Sequence, residues 1–197
     1  MSCRPGCWPR RRRADGRAPR PSAVSELGRL WAGWRADYVA AVSAEGDGEG
    51  AGFSSPFEAI GRGERPDSET FVLWRGEHTY AVLNAYPYTT GHLLVVPYVA
   101  AASPDDLADA AWGELWGAVR TAVRALRAVY DPDGVNVGLN LGRAAGAGVP
   151  GHLHVHCLPR WAGDTNFMTT VGGVRVLPET LEDTWRKLRG GWPHTAG

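Results

Sequence analysis

"GHLHVHCLPRW", residues 151–161, sets histidines at 152, 154 and 156, with Leu153, Val155 and Cys157 in the intervening and following places. Alternation with a period of two marks a strand, because successive side chains of a strand point to opposite faces. His152, His154 and His156 then share one face, and Leu153, Val155 and Cys157 share the other. One face is suited to a core and the other to chemistry. The chain holds six histidines, so half of them stand here, and a merely solvated row of imidazoles is a poor account of that concentration.

Outward from this strand the chain reads as one sheet with helices on it. "TFVLW", a turn at Arg75-Gly76, "TYAVLN" and "GHLLVVP" are short β runs spaced like an antiparallel meander. "SPDDLADAAWGELWGAVRTAVRALRAVYDP" opens with the helix-start signals Ser103, Pro104, Asp105 and Asp106 and stops at Asp131-Pro132. Its Trp112, Trp116, Val119, Val123, Leu126 and Tyr130 recur at steps of four and three, which predicts a long helix covering the sheet with that stripe. "GVNVGLNLG" and the histidine run add two strands, joined by the glycine-rich "GRAAGAGVPG". "PETLEDTWRKLRG" closes with a short helix on Leu181, Trp185 and Leu188. The expected class is α+β, an antiparallel sheet with a long helix and a C-terminal helix packed on it.

Upstream, Leu27, Trp31, Trp34 and Tyr38 fall on one face of a predicted docking helix over 23–42, with Ser25 as its cap. Residues 43–56, rich in Gly, Ser and acidic side chains, read as a linker. That leaves 57–190 as the main domain and 191–197 as a C-terminal tail.

The chain of 197 residues is 44% apolar, enough to bury a core in a single domain. Its zero net charge hides an asymmetry. Residues 1–20 carry seven arginines against one aspartate, so this stretch is about +6 and the remainder about −6. An acidic body argues against nucleic acid as a partner. No apolar run of ~7–15 residues follows the arginines, so 1–22 is expected to be a disordered basic tail and not a targeting signal. No stretch approaches the ~20 apolar residues of a membrane helix. Cys3, Cys7 and Cys157 make no disulfide framework, and the spacing of Cys3 and Cys7 is too weak to establish a metal site. A soluble, cytoplasmic protein is expected.

Two chemical readings of the histidine face follow. Alternating imidazoles can ligate zinc, but this needs further ligands, and the chain offers no H-x-x-E-H or C-x-x-C. Where a metal-binding pair would stand it reads "SSPFEAI". The other reading is nucleophilic catalysis on phosphorus. An imidazole attacks, a flanking histidine serves the phosphate or the leaving oxygen, and a glycine-rich loop supplies N–H groups to the anion. All these parts lie within residues 140–156.

"HLHVHCL" fits His-φ-His-φ-His-φ-φ, where φ is an apolar residue, and so resembles the histidine triad (HIT) superfamily of nucleotide hydrolases and transferases. "NAYPYTTGHLLVVP" looks like that family's first substrate segment. With "LGRLWAGWRADYV", "GVNVGLNLG" and "PRWAGDTNFM", the likeness covers roughly residues 25 to 190. It points to the actinobacterial branch of diadenosine tetraphosphate phosphorylases (ATP adenylyltransferases), with water-using HIT hydrolases and a nucleotide-binding module without turnover as alternatives.

The resemblance implies a nucleophilic His154 whose second nitrogen donates to the backbone carbonyl of His152. It implies that His156 contacts the α-phosphate, and that His152 assists the leaving group or orients the others. Asn84 corresponds to a ribose-contacting position, His92 to a histidine supporting the triad from a neighbouring strand, and Asn140 to a phosphate contact. Gly146, Ala147 and Gly148 stand where many relatives carry a glutamine, and can offer only backbone N–H groups. Arg160 is a candidate for the polyphosphate tail or a partner subunit, and Trp161 and Phe167 for base stacking or an interface. Ser55-Pro56-Phe57-Glu58 replaces the family's C-x-x-C, so the structural zinc of some relatives should be absent. No tightly bound cofactor is expected, Mg2+ arriving with the substrate being compatible with this. Inorganic phosphate is the expected co-substrate, and a homodimer or higher homo-oligomer the expected assembly.

Overall fold

The computed structural model describes residues 55–164 and 177–193. The expected tail 1–22, the helix over 23–42, most of the 43–56 segment, Cys3, Cys7 and Phe167 lie outside these residues.

Helix α1 (Pro56–Arg62) and a single turn α2 (Asp67–Thr70) lead into β1 (Val72–Arg75), β2 (Thr79–Leu83) and β3 (Leu93–Pro97). The long helix α3 (Asp109–Tyr130), β4 (Gly134–Leu139), β5 (Val155–Arg160) and α4 (Leu181–Gly190) follow. The strands form one antiparallel sheet in the order β1-β2-β3-β5-β4. The α+β architecture read from the alternation is therefore present, and the histidine-bearing strand β5 lies inside the sheet between β3 and β4.

The alternation sorts the two faces. Leu153, Val155 and Cys157 join Leu83, Leu93 and Val95 under α3 and α4. The opposite face carries Val72, Tyr80, Val82, Leu94 and Val96, with Phe57 and Ile60 of α1 packed on it. Each fully buried Val or Leu contributes roughly 1.5–3 kcal/mol relative to exposure, so a single apolar layer on each side suffices to fix the register. Hydrogen-bonded strand begins only at Val155; His152 and His154 lie in the approach to it. That approach is held by Leu153, whose N–H donates to the Ala101 carbonyl at 2.6 Å.

Four expectations are corrected. The long helix starts at Asp109, because Leu107 and Ala108 are extended; Ser103 instead caps a separate 3-10 turn, Pro104–Asp106, in a capping box. The face of α3 toward the sheet is Leu115, Ala118, Val119, Ala122, Ala125 and Leu126; Val119 and Leu126 of the expected stripe belong to it and Trp112 and Tyr130 pack beside it, whereas Trp116 is 39% exposed. Ala118, Ala122 and Ala125 fill the middle of this face, where a pattern of large side chains gives no signal. The linker assignment fails at its end, where Ser55 is buried and caps α1 and Pro56 occupies the first helical turn. The tail assignment also begins too early, because Trp192 is 4% exposed and stacks on Trp74.

Gly91 has φ +80, and a Cβ there would meet Tyr130 at 3.0 Å and Pro159 at 3.1 Å. Only glycine takes this turn without strain, and the turn delivers the next residue, His92, to the start of β3. No helix among the described residues is long and apolar enough to cross a membrane.

Candidate active site

Strand pairing brings the histidines together. His156 pairs with Leu94 of β3 and Gly138 of β4, and His92 stands one residue before the Leu93–Cys157 pair. The imidazole centroids of His154 and His156 are 5.0 Å apart, and those of His92 and His156 are 5.1 Å apart. Phe57 lies against His152 at 5.4 Å and against His154 at 5.1 Å, walling the cluster with an apolar ring.

The hydrogen bonds define which nitrogen of each ring carries the proton, because backbone groups have fixed roles. His154 Nδ1 lies 2.8 Å from the His152 carbonyl, so Nδ1–H donates and Nε2 keeps a bare lone pair. His152 Nε2 lies 2.8 Å from the Pro97 carbonyl, so the proton is on Nε2, and Nδ1 accepts from the Ser55 hydroxyl at 2.9 Å. The Tyr88 N–H donates to His92 Nδ1 at 3.0 Å, which places the His92 proton on Nε2. That N–H donates to His156 Nδ1 at 2.9 Å, and the neutral His156 ring therefore presents Nε2–H. Side by side stand one nucleophilic nitrogen, on His154, and one donor, on His156.

Burial disfavours the charged form of the three triad rings. It lowers the affinity of His152 and His154 for a proton, although backbone acceptors oppose the shift. His156, buried and next to His154, is pushed down to about 4. Burial also pushes the Cys157 thiol up to about 12, so on the opposite face it is inert core. If neutral His154 is the reactive form, kcat/KM should stay level as pH falls through 6.5 and decline only below the ordinary imidazole range. An acid limb centred at 6.5 or higher in the pH–rate profile would contradict this. Stability follows the same sign. Unfolded histidines take up protons below about 6.5 and the folded ones do not, so folding weakens as pH drops from 6.5 toward 4 and is unaffected above that window.

The other expected residues divide. Asn84 adjoins the cluster: its Oδ1 accepts from the Tyr86 N–H at 2.9 Å, and its Nδ2 lies 3.4 Å from His92 Nδ1. Asn140 stands one residue beyond the Leu139–Val155 pair, at the His154 end of the sheet, with Nδ2 3.5 Å from the Gly146 carbonyl. The N–H groups of Gly146 and Ala147 are spent within the loop, on the carbonyls of Arg143 and Gly142. Of the three expected donors, Gly148 is the one with no such internal bond among the described residues. Arg160 grips Asp164 and the Asn136 side chain. Trp161 packs edge-on against Tyr130.

A match to the HIT domain model spans residues 65–163. The chain belongs to the HIT family. An AP-4-A phosphorylase of Mycobacterium tuberculosis is 44% identical over 168 residues, 85% of each chain. A bis(5'-nucleosyl)-tetraphosphatase (asymmetrical) of Schizosaccharomyces pombe is 33% identical over 93 residues, 47% of this chain and 50% of that one. Among solved structures, a zinc-bound histidine triad family protein from Mycobacterium smegmatis aligns with TM-score 0.57 and 29% identity, covering 69% of this chain and 91% of that one. A histidine triad nucleotide-binding protein from Sulfolobus tokodaii aligns with TM-score 0.57 and 27% identity, covering 70% and 91%. In this HIT chain the two nitrogens of His152 are taken by Ser55 and Pro97, and among the described residues no group of three or more His, Cys, Asp or Glu is arranged to hold a metal ion.

Ser55, Phe57, the Pro97 carbonyl and the Tyr88 N–H also belong to the site, although the sequence assigns them no part in it. For Ser55 a signal was present: Ser-Pro-Phe-Glu, with proline second and glutamate fourth, is a helix-start pattern. The two backbone groups have no side-chain signature at all.

Proposed function

We propose that this HIT protein cleaves diadenosine tetraphosphate by phosphorolysis to ATP and ADP through an adenylyl group carried on His154. The observation that supports it most directly is the bare Nε2 of His154, held so by the bond from Nδ1–H to the His152 carbonyl. The Nε2 lone pair attacks an α-phosphorus; a phosphorus–nitrogen bond forms, the bond to the oxygen bridging to the β-phosphorus breaks, and ATP departs. An oxygen of inorganic phosphate then attacks the same phosphorus, the phosphorus–nitrogen bond breaks, and ADP leaves with the lone pair restored to Nε2. His156 Nε2–H donates to a non-bridging oxygen and stabilises the charge gathering there. His152 is fully buried with both nitrogens engaged, so of its two expected roles the orienting one fits and leaving-group assistance does not. Asn84 is suited to the ribose hydroxyls, and Asn140 with the Gly148 N–H to the phosphates. The similarity to an AP-4-A phosphorylase over 85% of the chain supports the substrate.

Product analysis with and without inorganic phosphate tests the second half-reaction. ADP and ATP forming only with phosphate is the expected result, whereas AMP and ATP at the same rate without it would mean that water resolves the intermediate. No resident metal enters this scheme: both ring nitrogens of His152 and the Nδ1 atoms of His154 and His156 are engaged in hydrogen bonds, and the two remaining Nε2 atoms are assigned to the substrate phosphate. Mg2+ comes with the substrate phosphates, and elemental analysis of dialysed protein should be blank for transition metals. Stoichiometric zinc lost in His154→Ala would overturn the covalent scheme. A nucleotide substrate agrees with a cytoplasmic setting. Among the described residues β4 lies at a margin of the sheet and its Val137 is 41% exposed, which supports self-association into at least a homodimer; sedimentation velocity reads the stoichiometry.

A further inference from the structure

The residues that shape a nucleophile are often not the ones that touch substrate. Ser55 sits ahead of α1, 97 positions before the first histidine of the triad, and its hydroxyl is buried against the His152 ring. Its oxygen accepts from the Phe57 N–H at 3.2 Å, and its proton goes to His152 Nδ1 at 2.9 Å. The opposite nitrogen of the same ring donates to the Pro97 carbonyl. His152 is thus pinned at both ends, in one tautomer and one ring orientation. The backbone carbonyl of that same residue holds the proton on His154 Nδ1.

We infer that Ser55 is a positioning residue for the nucleophile, acting through His152 to keep His154 in the tautomer whose Nε2 lone pair is available. This rests on the proposed role of His154, but the proton positions can be tested apart from it. Remove the hydroxyl, and His152 Nδ1 becomes a buried acceptor without a donor. The ring relieves this by turning over or taking up a proton, and the carbonyl that orients His154 moves with it. His154 then samples the Nε2–H tautomer, which has no lone pair toward phosphorus. The same serine also caps α1, so an alanine substitution would mix two effects. Glycine also loses the oxygen that accepts from the Phe57 N–H, but it is tolerated as an N-cap almost as well as serine, so the missing donor to His152 is the main change.

The test compares wild type, Ser55→Gly and Ser55→Thr by steady-state kinetics, thermal unfolding and long-range 1H–15N correlation of the imidazoles. Wild type should show His152 protonated at Nε2 and His154 at Nδ1. Ser55→Gly should unfold within a few degrees of wild type, lose about ten- to a hundredfold in kcat with KM within about twofold, and gain Nε2–H signal at His154. Ser55→Thr, which retains the hydroxyl, should recover most of kcat and the wild-type imidazole pattern. A folded Ser55→Gly with wild-type kcat and unchanged imidazole signals would overturn the inference, as would His152 found protonated at Nδ1 in wild type. If wild type does not cleave diadenosine tetraphosphate, the proposed function fails; the imidazole spectra of the glycine and threonine variants still decide the role of Ser55.

Discussion

His154→Ala should lower kcat for diadenosine tetraphosphate by about four to six decades, the scale of losing a covalent nucleophile, while the protein still binds the dinucleotide. The distinction follows from the geometry. Deleting the ring removes the one bare nitrogen of the cluster, but it leaves the donor of His156 and the relay behind it intact. Mass spectrometry of quenched wild-type enzyme should find an adenylyl adduct on the peptide containing "GHLHVHCLPR". The quench must be alkaline, because a phosphorus–nitrogen bond to imidazole hydrolyses once the ring is protonated. An adduct on His152 or His156, or a His154→Ala enzyme keeping more than about a tenth of wild-type turnover, would reassign the nucleophile.

His156→Ala should cost about 10²–10³-fold in kcat, the range found when one donor to a developing oxyanion is lost. His92→Ala should cost less, because His92 touches no substrate in this scheme and acts by holding the proton of His156 on Nε2. The telling measurement is the double-mutant cycle. Residues in one hydrogen-bonded chain are not additive, so the double variant should be little slower than His156→Ala alone. Costs that multiply in kcat/KM would mean that His92 acts on the reaction independently of His156.

The part of this site visible in the sequence is the part written in side chains at regular spacing. The period of two places His152, His154 and His156 opposite a core of Leu153, Val155 and Cys157, as found, although the strand itself begins only at Val155. His92 and Asn84 came from a segment likeness and do lie at the cluster. What escaped reading was set by tertiary contact. The middle of the α3 face is lined by Ala118, Ala122 and Ala125, small residues without a signal of their own, and the tautomers are set by the carbonyls of Pro97 and His152. Backbone donors in "GRAAGAGVPG" looked available because glycine composition does not reveal that a loop consumes its own N–H groups, as those of Gly146 and Ala147 are consumed.

The two margins of the sheet differ. At β1, the Val72 carbonyl receives both the Trp185 indole N–H at 2.8 Å and the Arg189 guanidinium at 3.0 Å, so α4 seals that margin. At the far margin, among the described residues, β4 has β5 on one side and no further strand on the other. A ribbon with one blunted side and one adhesive side can gain a single neighbour by pairing like with like about a two-fold axis, after which no adhesive side is left. If two copies pair at β4, no open margin remains among the described strands, and the pairing closes on itself instead of propagating.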